Sequence, residues 1–421
     1  MKSFPLLLLA ALAGLLLFPQ AAGRSEAPAV EAVSPSPPIF VPSSPGIYWQ
    51  IERIDTDEMT GLRSSLRLDA LDRPHISYFD YSDLALNYAW YDGSNWHIEE
   101  VADANNLPTS LVLYIVSGQA YPSISYGYGS PTASLYYARN AGAGWQTYLV
   151  DTLSSGGYNA LVLDTSGNPH IAYHHSEALW YARWVGFGGN CGPHDSFQCE
   201  RIDMGTGSLG HYISMVMGSG GHLHISYYDD YNQDLKYAHL VGAGGNCGPG
   251  NTWECQTIES ADDVGKYNDI ILNQYADPVV SYFKTIGTMG LRLATKVGAG
   301  LGNCGTGNAW SCIWVDQAAY LSDGTSLARY PGLAATPHIS YFYNNGTLKR
   351  LEYAHYLGTP GNCGPTNTWY CETVDSDAGM HNSLAIDALN LPHISYYASD
   401  QYDLKYARKV RLIFLPIARK P

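Results

Sequence analysis

One phrase recurs seven times along this chain and limits its fold more than any other feature. It reads PHISYFD from Pro74, PSISYGY from Pro122, PHIAYHH from Pro169, LHISYYD from Leu223, PVVSYFK from Pro278, PHISYFY from Pro337 and PHISYYA from Pro392. Successive copies start 47 to 59 residues apart, the length of a four-stranded propeller blade rather than of a helical or leucine-rich repeat. A β-rich segment such as SSLRLDA from Ser64 or NSLAIDA from Asn382 precedes the phrase and reads as an innermost strand, and the phrase alternates as a second strand. A third follows, as in LNYAWY from Leu86, LKYAHL from Leu235 and LEYAHY from Leu351. The fourth starts on an aromatic residue, at Trp96, Trp145, Phe197, Trp253, Trp310 and Trp369. That is one fourth strand too few. The missing one stands at the other end of the chain, where WQIERID (Trp49 to Asp55) matches FQCERID (Phe197 to Asp203). The spacing therefore predicts an all-β, seven-bladed propeller of four-stranded blades over residues 47–410, with the N-terminal strand completing the last blade and leaving no unpaired sheet edge.

What flanks the repeats bears on location. MKSFPLLLLAALAGLLLFPQAAG puts a Lys before a short apolar run ending in small residues, the layout of a secretory signal peptide over residues 1–23, with an N-terminal membrane anchor as the competing reading. Residues 24–46 are rich in Pro and Ser and read as an extended linker, and residues 411–421 as a C-terminal tail. A secreted or surface-associated monomer with no membrane span in the mature chain is expected. The net charge of −15 argues against nucleic acid, whose affinity rests on Lys and Arg neutralising phosphates.

Eight cysteines form four pairs of one spacing, each between a third and a fourth strand: Cys191 with Cys199, Cys247 with Cys255, Cys304 with Cys312 and Cys363 with Cys371. Local disulfides stapling those loops fit an oxidising compartment, whereas metal binding would need the pairs of different blades to converge. His75, His170, His224, His338 and His393 occupy one equivalent position, which argues for a structural job done five times rather than for catalysis. Asp69, Asp164 and Asp387 precede three of them by six positions, so an Asp–His bond across the inner turn is expected. The tyrosines at 78, 126, 173, 227, 282, 341 and 396 repeat in register and read as packing between blades, each hydroxyl needing a partner. No metal or cofactor is implied.

Function belongs to positions that differ between blades. The residue three before each inner-strand apolar residue gives the ring Arg63, Pro108, Tyr158, Tyr212, Tyr267, Gly324 and His381. Arg63, Tyr158, Tyr212, Tyr267 and His381 at a channel mouth could stack on sugar rings and bond their hydroxyls. Neighbouring loops add Asp80, Asp83, His174, His175, Glu177, Asp229, Asp230, Lys284 and Asp400, against which stands ordinary loop polarity.

The PHISYYD-then-LKYA-then-W pattern resembles the BNR/sialidase-like propeller repeats of secreted bacterial proteins over nearly all of the chain after the linker. Sialidases carry an Asp-box, S-x-D-x-G-x-x-W, between third and fourth strands; YDGSNW (Tyr91 to Trp96) keeps its Asp, Gly and Trp, and NAGAGW (Asn140 to Trp145) only Gly and Trp. Sialidases are also six-bladed and use three converging arginines with a Tyr nucleophile, a set that Arg63, Arg67 and Arg329 do not reproduce by position. No DxDxDG calcium loop is present. The ending FLPIARK is similar to the short apolar-basic C-termini of secreted Chloroflexi proteins, which implies surface retention, or it is a strand against the rim. Two readings follow: a non-catalytic module binding a glycan or an extracellular protein through the variable face, or a carbohydrate-active hydrolase or lyase with a carboxylate and Tyr/His set at the channel mouth.

Overall fold

A strand such as His75-Ile76-Ser77-Tyr78 puts His75 and Ser77 on one face and Ile76 and Tyr78 on the other, so each face needs cover from a neighbour. In the computed structural model every residue of the second strands Pro74–Asp80, Leu223–Asp229 and Pro392–Ala398 is buried. The model describes residues 30–33, 37–44, 46–57, 59–129, 133–152, 157–205, 207–317, 324–330, 336–376 and 379–411. The expected signal peptide and the tail beyond Arg411 lie outside them. Cover on both faces comes from neighbouring blades: seven antiparallel sheets form the ring, each with its strands in chain order from the channel outward except where N-terminal strands are added at the rims of blades 7 and 1. Blade 1 comprises Leu62–Leu68, Pro74–Asp80, Ala85–Tyr91 and Trp96–Asp103. The other inner strands are Ser110–Val116, Asn159–Leu163, Leu209–Met217, Val264–Leu272, Thr325–Arg329 and Met380–Ile386.

The ring closes as the strand count requires. Ile47–Asp55 pairs antiparallel with Asp403–Arg411, placing Ile51 opposite Ala407 and Asp55 opposite Leu404, and so supplies the outer strand of blade 7. Part of the Pro/Ser-rich segment is also paired. Ile39–Ser44 lies outside Ile47–Asp55 as a fifth strand of blade 7, and Glu31–Val33 lies outside Trp96–Asp103 on blade 1. The chain before the first blade therefore straddles the closing seam on the rim.

Burial is organised between blades rather than in one core. The cluster of Ile54, Leu66, Ile76, Tyr78, Ala89, Trp96, Leu404 and Tyr406 joins blades 7 and 1, and six further clusters fill other parts of the ring. Polar bonds register the seams. The second-strand tyrosine hydroxyl donates to a carboxylate ending the preceding blade's outer strand, as in Tyr78–Asp55 at 2.6 Å, Tyr173–Asp151 at 2.8 Å, Tyr341–Asp316 at 2.8 Å and Tyr396–Asp375 at 2.6 Å. These hydroxyls would otherwise be buried without a partner.

Two polar belts run around the channel. In the first, a side chain of one inner strand accepts the backbone N–H of the next: Ser65 from Leu111 (3.1 Å), Ser110 from Leu161 (3.0 Å), Ser214 from Ile270 (3.3 Å), Asp269 from Leu327 (2.7 Å), Ser326 from Leu384 (3.0 Å) and Ser383 from Leu66 (2.9 Å). In the second, the serine of the repeated phrase bonds the next inner strand, as in Ser77–Thr109, Ser281–Thr325 and Ser395–Ser64 at 2.8 to 2.9 Å and Ser340–Asn382 at 2.6 Å. The seam between blades 3 and 4 departs from both. There Ala160, Ala172 and Ile213 replace the polar residues together and join one apolar cluster. Their joint replacement has a physical reason, since a half-satisfied buried network is worse than an apolar one.

All four disulfides form in the expected pairs, with Cα–Cα distances of 5.8 to 6.0 Å: Cys191 to Cys199, Cys247 to Cys255, Cys304 to Cys312 and Cys363 to Cys371. Cys199, Cys255, Cys312 and Cys371 each sit on an outer strand, two residues past the aromatic that begins it. The staples therefore brace the rim of four blades. The repeated histidines differ from expectation in their main partner. Each Nδ1 bonds the third-strand tyrosine of its own blade, in the pairs His75–Tyr88, His170–Tyr181, His224–Tyr237, His338–Tyr353 and His393–Tyr406. The expected aspartate stands at the other ring nitrogen: Asp387 hydrogen-bonds His393 Nε2 at 3.4 Å, and Asp69 and Asp164 lie 3.7 and 3.9 Å from His75 and His170. Each is also held by the turn it closes: Asp69 accepts the N–H groups of Leu71 and Arg73, both at 2.9 Å, and Asp387 those of Leu389 and Leu391 at 2.9 and 2.7 Å. The Asp-box-like turn is similarly local, Asp92 accepting from Ser94 and Asn95 at 2.7 and 2.8 Å.

Candidate functional site

Outer-to-inner connections and second-to-third turns share one face, and the ring of seven unequal positions lies where the inner strands begin on it. Four of the seven have an uncommon backbone. Arg63, Tyr212, Tyr267 and His381 hold φ values of 56°, 50°, 54° and 53°, a left-handed conformation that costs a non-glycine residue about 1–2 kcal/mol. Each coincides with a break in register between inner and second strand, a bulge that turns the side chain out of the alternation. A glycine two residues earlier makes the bend possible. A Cβ on Gly61 would lie 2.6 Å from Leu404 Cα, and one on Gly265 2.7 Å from Leu235 Cα, so these backbones rest on the preceding blade's third strand.

The bulges assemble an aromatic arc. The rings of Tyr158 and Tyr212 lie 4.9 Å apart and those of Tyr212 and Tyr267 4.5 Å apart, with His211 stacked on Tyr158 at 4.8 Å. All four are partly exposed. Burial, followed by Tyr212 beside it, raises the Tyr158 hydroxyl above its ordinary range, so it is a neutral donor and acceptor. On the far side Arg63 Nη1 lies 3.4 Å from His381 Nδ1. Burial and the Arg63 charge push His381 down to about 3, leaving a neutral imidazole to receive the guanidinium's hydrogen bond. The five candidate ring residues thus fall into two contact groups, the tyrosine arc and the Arg63–His381 pair.

Below the mouth the channel wall carries two further charges. Asp269 stands where the first belt otherwise has serine or alanine, bonded to Ser214 at 2.6 Å and to Leu327 N–H at 2.7 Å. Arg67 holds a position that is Val112, Val162, Val216, Ile271, Ala328 and Ala385 in the other blades, and its Nη1 donates to the Leu66 carbonyl at 2.7 Å. Burial raises the Asp269 carboxyl, opposed by its hydrogen bonds and the Arg67 charge.

Several loop candidates prove structural. Asp80 accepts from Ser82 and Asp83, and Asp229 from Tyr231 and Asn232, each bracing its own turn while almost fully buried. His175 bonds Asp151 at 3.0 Å and stacks on Trp180. Lys284 pairs with Asp262 at 2.7 Å. The side chains of Asp83, Glu177 and Asp400 are exposed. Tyr228 donates to Asp263 at 2.7 Å, the Tyr–carboxylate pairing a sialidase-like reaction asks for, but it is fully buried and cannot meet a substrate.

His174 and Asp230 do belong together, with two residues the sequence did not single out. Ser208 Oγ lies 2.9 Å from His211 Nε2 and 3.3 Å from His174 Nε2, and His211 Nδ1 lies 3.9 Å from Asp230 Oδ1. Burial pushes His174 down to about 4 and lowers His211 against the pull of Asp230. A blade-by-blade comparison contained the signal: the counterparts of His211 in the other bulged blades are Leu62, Lys266 and Met380.

Among the described residues no three or more His, Cys, Asp or Glu side chains are grouped to hold a metal ion, and no helix is long and apolar enough to cross a membrane. A shallow concavity on the flank of blade 4 is lined by Asn246, Cys247, Glu254 and Cys255 and belongs to a disulfide loop rather than to the mouth. The disulfides Cys191–Cys199, Cys304–Cys312 and Cys363–Cys371 likewise join each outer strand to the loop before it, so the cysteines are structural and none belongs to the ligand site.

No family model matches the chain, and no curated protein does. Solved structures resemble it only at a distance. A protein of unknown function from Dyadobacter fermentans has a TM-score of 0.49 at 11% identity, covering 88% of this chain and 100% of its own. The Aleuria aurantia lectin, solved with Fucα1-6GlcNAc, has a TM-score of 0.45 at 15% identity over 76% of this chain and 98% of its own. The NanB sialidase of Streptococcus pneumoniae has a TM-score of 0.41 at 10% identity over 85% of this chain and 69% of its own.

Proposed function

We propose that this propeller is a secreted binding module whose channel mouth takes a glycan. The observation that carries this reading is the arc of Tyr158, Tyr212 and Tyr267, partly exposed rings 4.5 to 4.9 Å apart. Sugars present apolar C–H faces and equatorial hydroxyls together. Aromatic rings with neutral hydroxyls answer both. Two of the three tyrosines hold a left-handed backbone, and such strain is typical of functional sites. The four disulfides are consistent with an extracellular setting.

The test is a glycan array probed with the disulfide-bonded protein beside the variant carrying Tyr158→Ala, Tyr212→Ala and Tyr267→Ala together. Binding by the parent that drops at least a hundredfold in the variant, with an unchanged far-ultraviolet spectrum, is the expected result. Binding that survives the triple change would remove the arc from the site. A blank array for the parent would turn the search to an extracellular protein partner.

A further inference from the structure

Among the described residues, Ser208, His211, Asp230 and His174 form the one polar cluster at the mouth that neither the seams nor the turns require. Ser208 ends the connection into blade 4, and His211 sits inside the bulge immediately before the left-handed Tyr212. Asp230 lies at the second-to-third turn, where its N–H donates to the Ser208 carbonyl at 2.9 Å and fixes the two loops against each other. His174 comes from the second strand of blade 3, at a position that is Phe79, Tyr228, Phe283, Phe342 or Tyr397 in five other blades. Catalysis needs one asymmetric constellation, and this one departs from the repeat at every member.

We propose that Ser208, His211 and Asp230 are a nucleophile, general base and orienting carboxylate that hydrolyse a carboxylic ester at the channel mouth. The two imidazole nitrogens have the separate tasks such a set requires: Nε2 meets the serine hydroxyl at 2.9 Å, and Nδ1 faces the carboxylate at 3.9 Å. Stacking on Tyr158 holds the ring plane. The chemistry balances with water alone. Ser208 Oγ attacks the ester carbonyl carbon as its proton passes to His211 Nε2. The C–O bond to the alcohol then breaks, with that proton going to the leaving oxygen. Water attacks the acyl-serine, gives its proton to His211, and the acid leaves as Ser208 regains it. The serine and His211 are catalytic residues, Asp230 is a positioning residue, and His174 is a second neutral imidazole on the hydroxyl. An O-acyl group on a sugar is the ester that fits this mouth, a choice that rests on the glycan reading; the serine chemistry does not.

The experiment is covalent labelling of the full disulfide-bonded protein with a fluorophosphonate probe, read by intact mass and peptide mapping. A single adduct on Ser208 is expected, absent in Ser208→Ala and formed at least tenfold more slowly in His211→Ala. Turnover of 4-nitrophenyl acetate should fall in parallel. In Asp230→Asn the loss of the carboxylate lowers the His211 pKa further, so the pH profile of labelling should move to lower pH as its plateau falls. The groups around His211 are His174, Asp230, Tyr158 and Tyr212, with Arg63 acting on Tyr158. No adduct on Ser208 of the folded protein at pH 8, or labelling of His211→Ala at the parent rate, overturns the proposal. A blank glycan array leaves this result standing, and failed labelling leaves the array result standing, so the two readings fail separately.

Discussion

Tyr212 holds φ at 50°, and its ring touches both other tyrosines of the arc. Glycine usually destabilises a strand relative to alanine by about 0.5–1 kcal/mol; at this position the order should invert. Tyr212→Gly should be more stable to urea than Tyr212→Ala by about 1 kcal/mol, since both lose the ring and only alanine keeps the left-handed strain. The opposite order would mean that the backbone is not held as described. Buried histidines set a second residue-scale property. Burial lowers His75 to about 4, and lowers His224 and His338 to about 3, the latter pair aided by His239 and His355 respectively. A histidine depressed on folding stabilises the protein above its unfolded pKa near 6.5 and loses that contribution as pH falls toward the folded value. One unit below 6.5 the loss is about 1.4 kcal/mol per group. Asp55, raised by burial to about 6, opposes it by gaining on acidification. The lowered histidines, which also include His174, His211, His355 and His381, outnumber the raised carboxyls of Asp55, Glu99, Asp234, Asp269 and Glu352, so the thermal midpoint should fall between pH 7 and pH 5, and less steeply in His338→Gln; a flat or rising midpoint would contradict these burial shifts.

The seams are the elements that distinguish this ring from seven independent sheets. At the seam of blades 6 and 7, Ser340, Ser326 and Asn382 make the bonds that Ala172, Ala160 and Ile213 forgo between blades 3 and 4. Asn382→Ile alone should cost about 2 kcal/mol or more, because it strands the Ser340 hydroxyl against an apolar side chain. Adding Ser340→Ala should recover part of that loss, so the double variant should unfold at a higher denaturant concentration than the single. Strict additivity would show that the polar members do not act as a unit. The blade count, the closure and the staples could be read from repetition, because each repeat states the same constraint again. The bulges were harder to read. Their mark is a glycine two residues before Arg63, Tyr212, Tyr267 or His381, and that spacing gains its meaning only from a third strand in the neighbouring blade. The trio of Ser208, His211 and Asp230 was harder still, since each looks like ordinary loop polarity until two turns of blade 4 bring them within reach.

For the whole molecule, stability rests on the pairing of Ile47–Asp55 with Asp403–Arg411. That strand also supplies Asp55 to the Tyr78 hydroxyl and Glu52 to the Trp96 indole, so it serves blade 1 as well as blade 7. A chain beginning at residue 46 loses only the two rim strands Glu31–Val33 and Ile39–Ser44 and should keep a single cooperative unfolding transition at a modestly lower midpoint. A chain beginning at residue 57 loses the closure and should give a broadened or absent transition in calorimetry. Equal behaviour of the two would mean that the ring does not depend on its clasp. The same clasp sets a schedule for biosynthesis. Its first half is among the earliest residues of the propeller to be made and its second half among the last, so for nearly the whole of translation the Ile47–Asp55 strand has only the rim strand Ile39–Ser44 beside it and lacks its partner within the blade. A ribosome that stops short of Lys405 releases six complete blades, the two inner strands of a seventh and an open sheet edge. Quality control can therefore tell a finished molecule from an unfinished one by whether that edge is still available to pair.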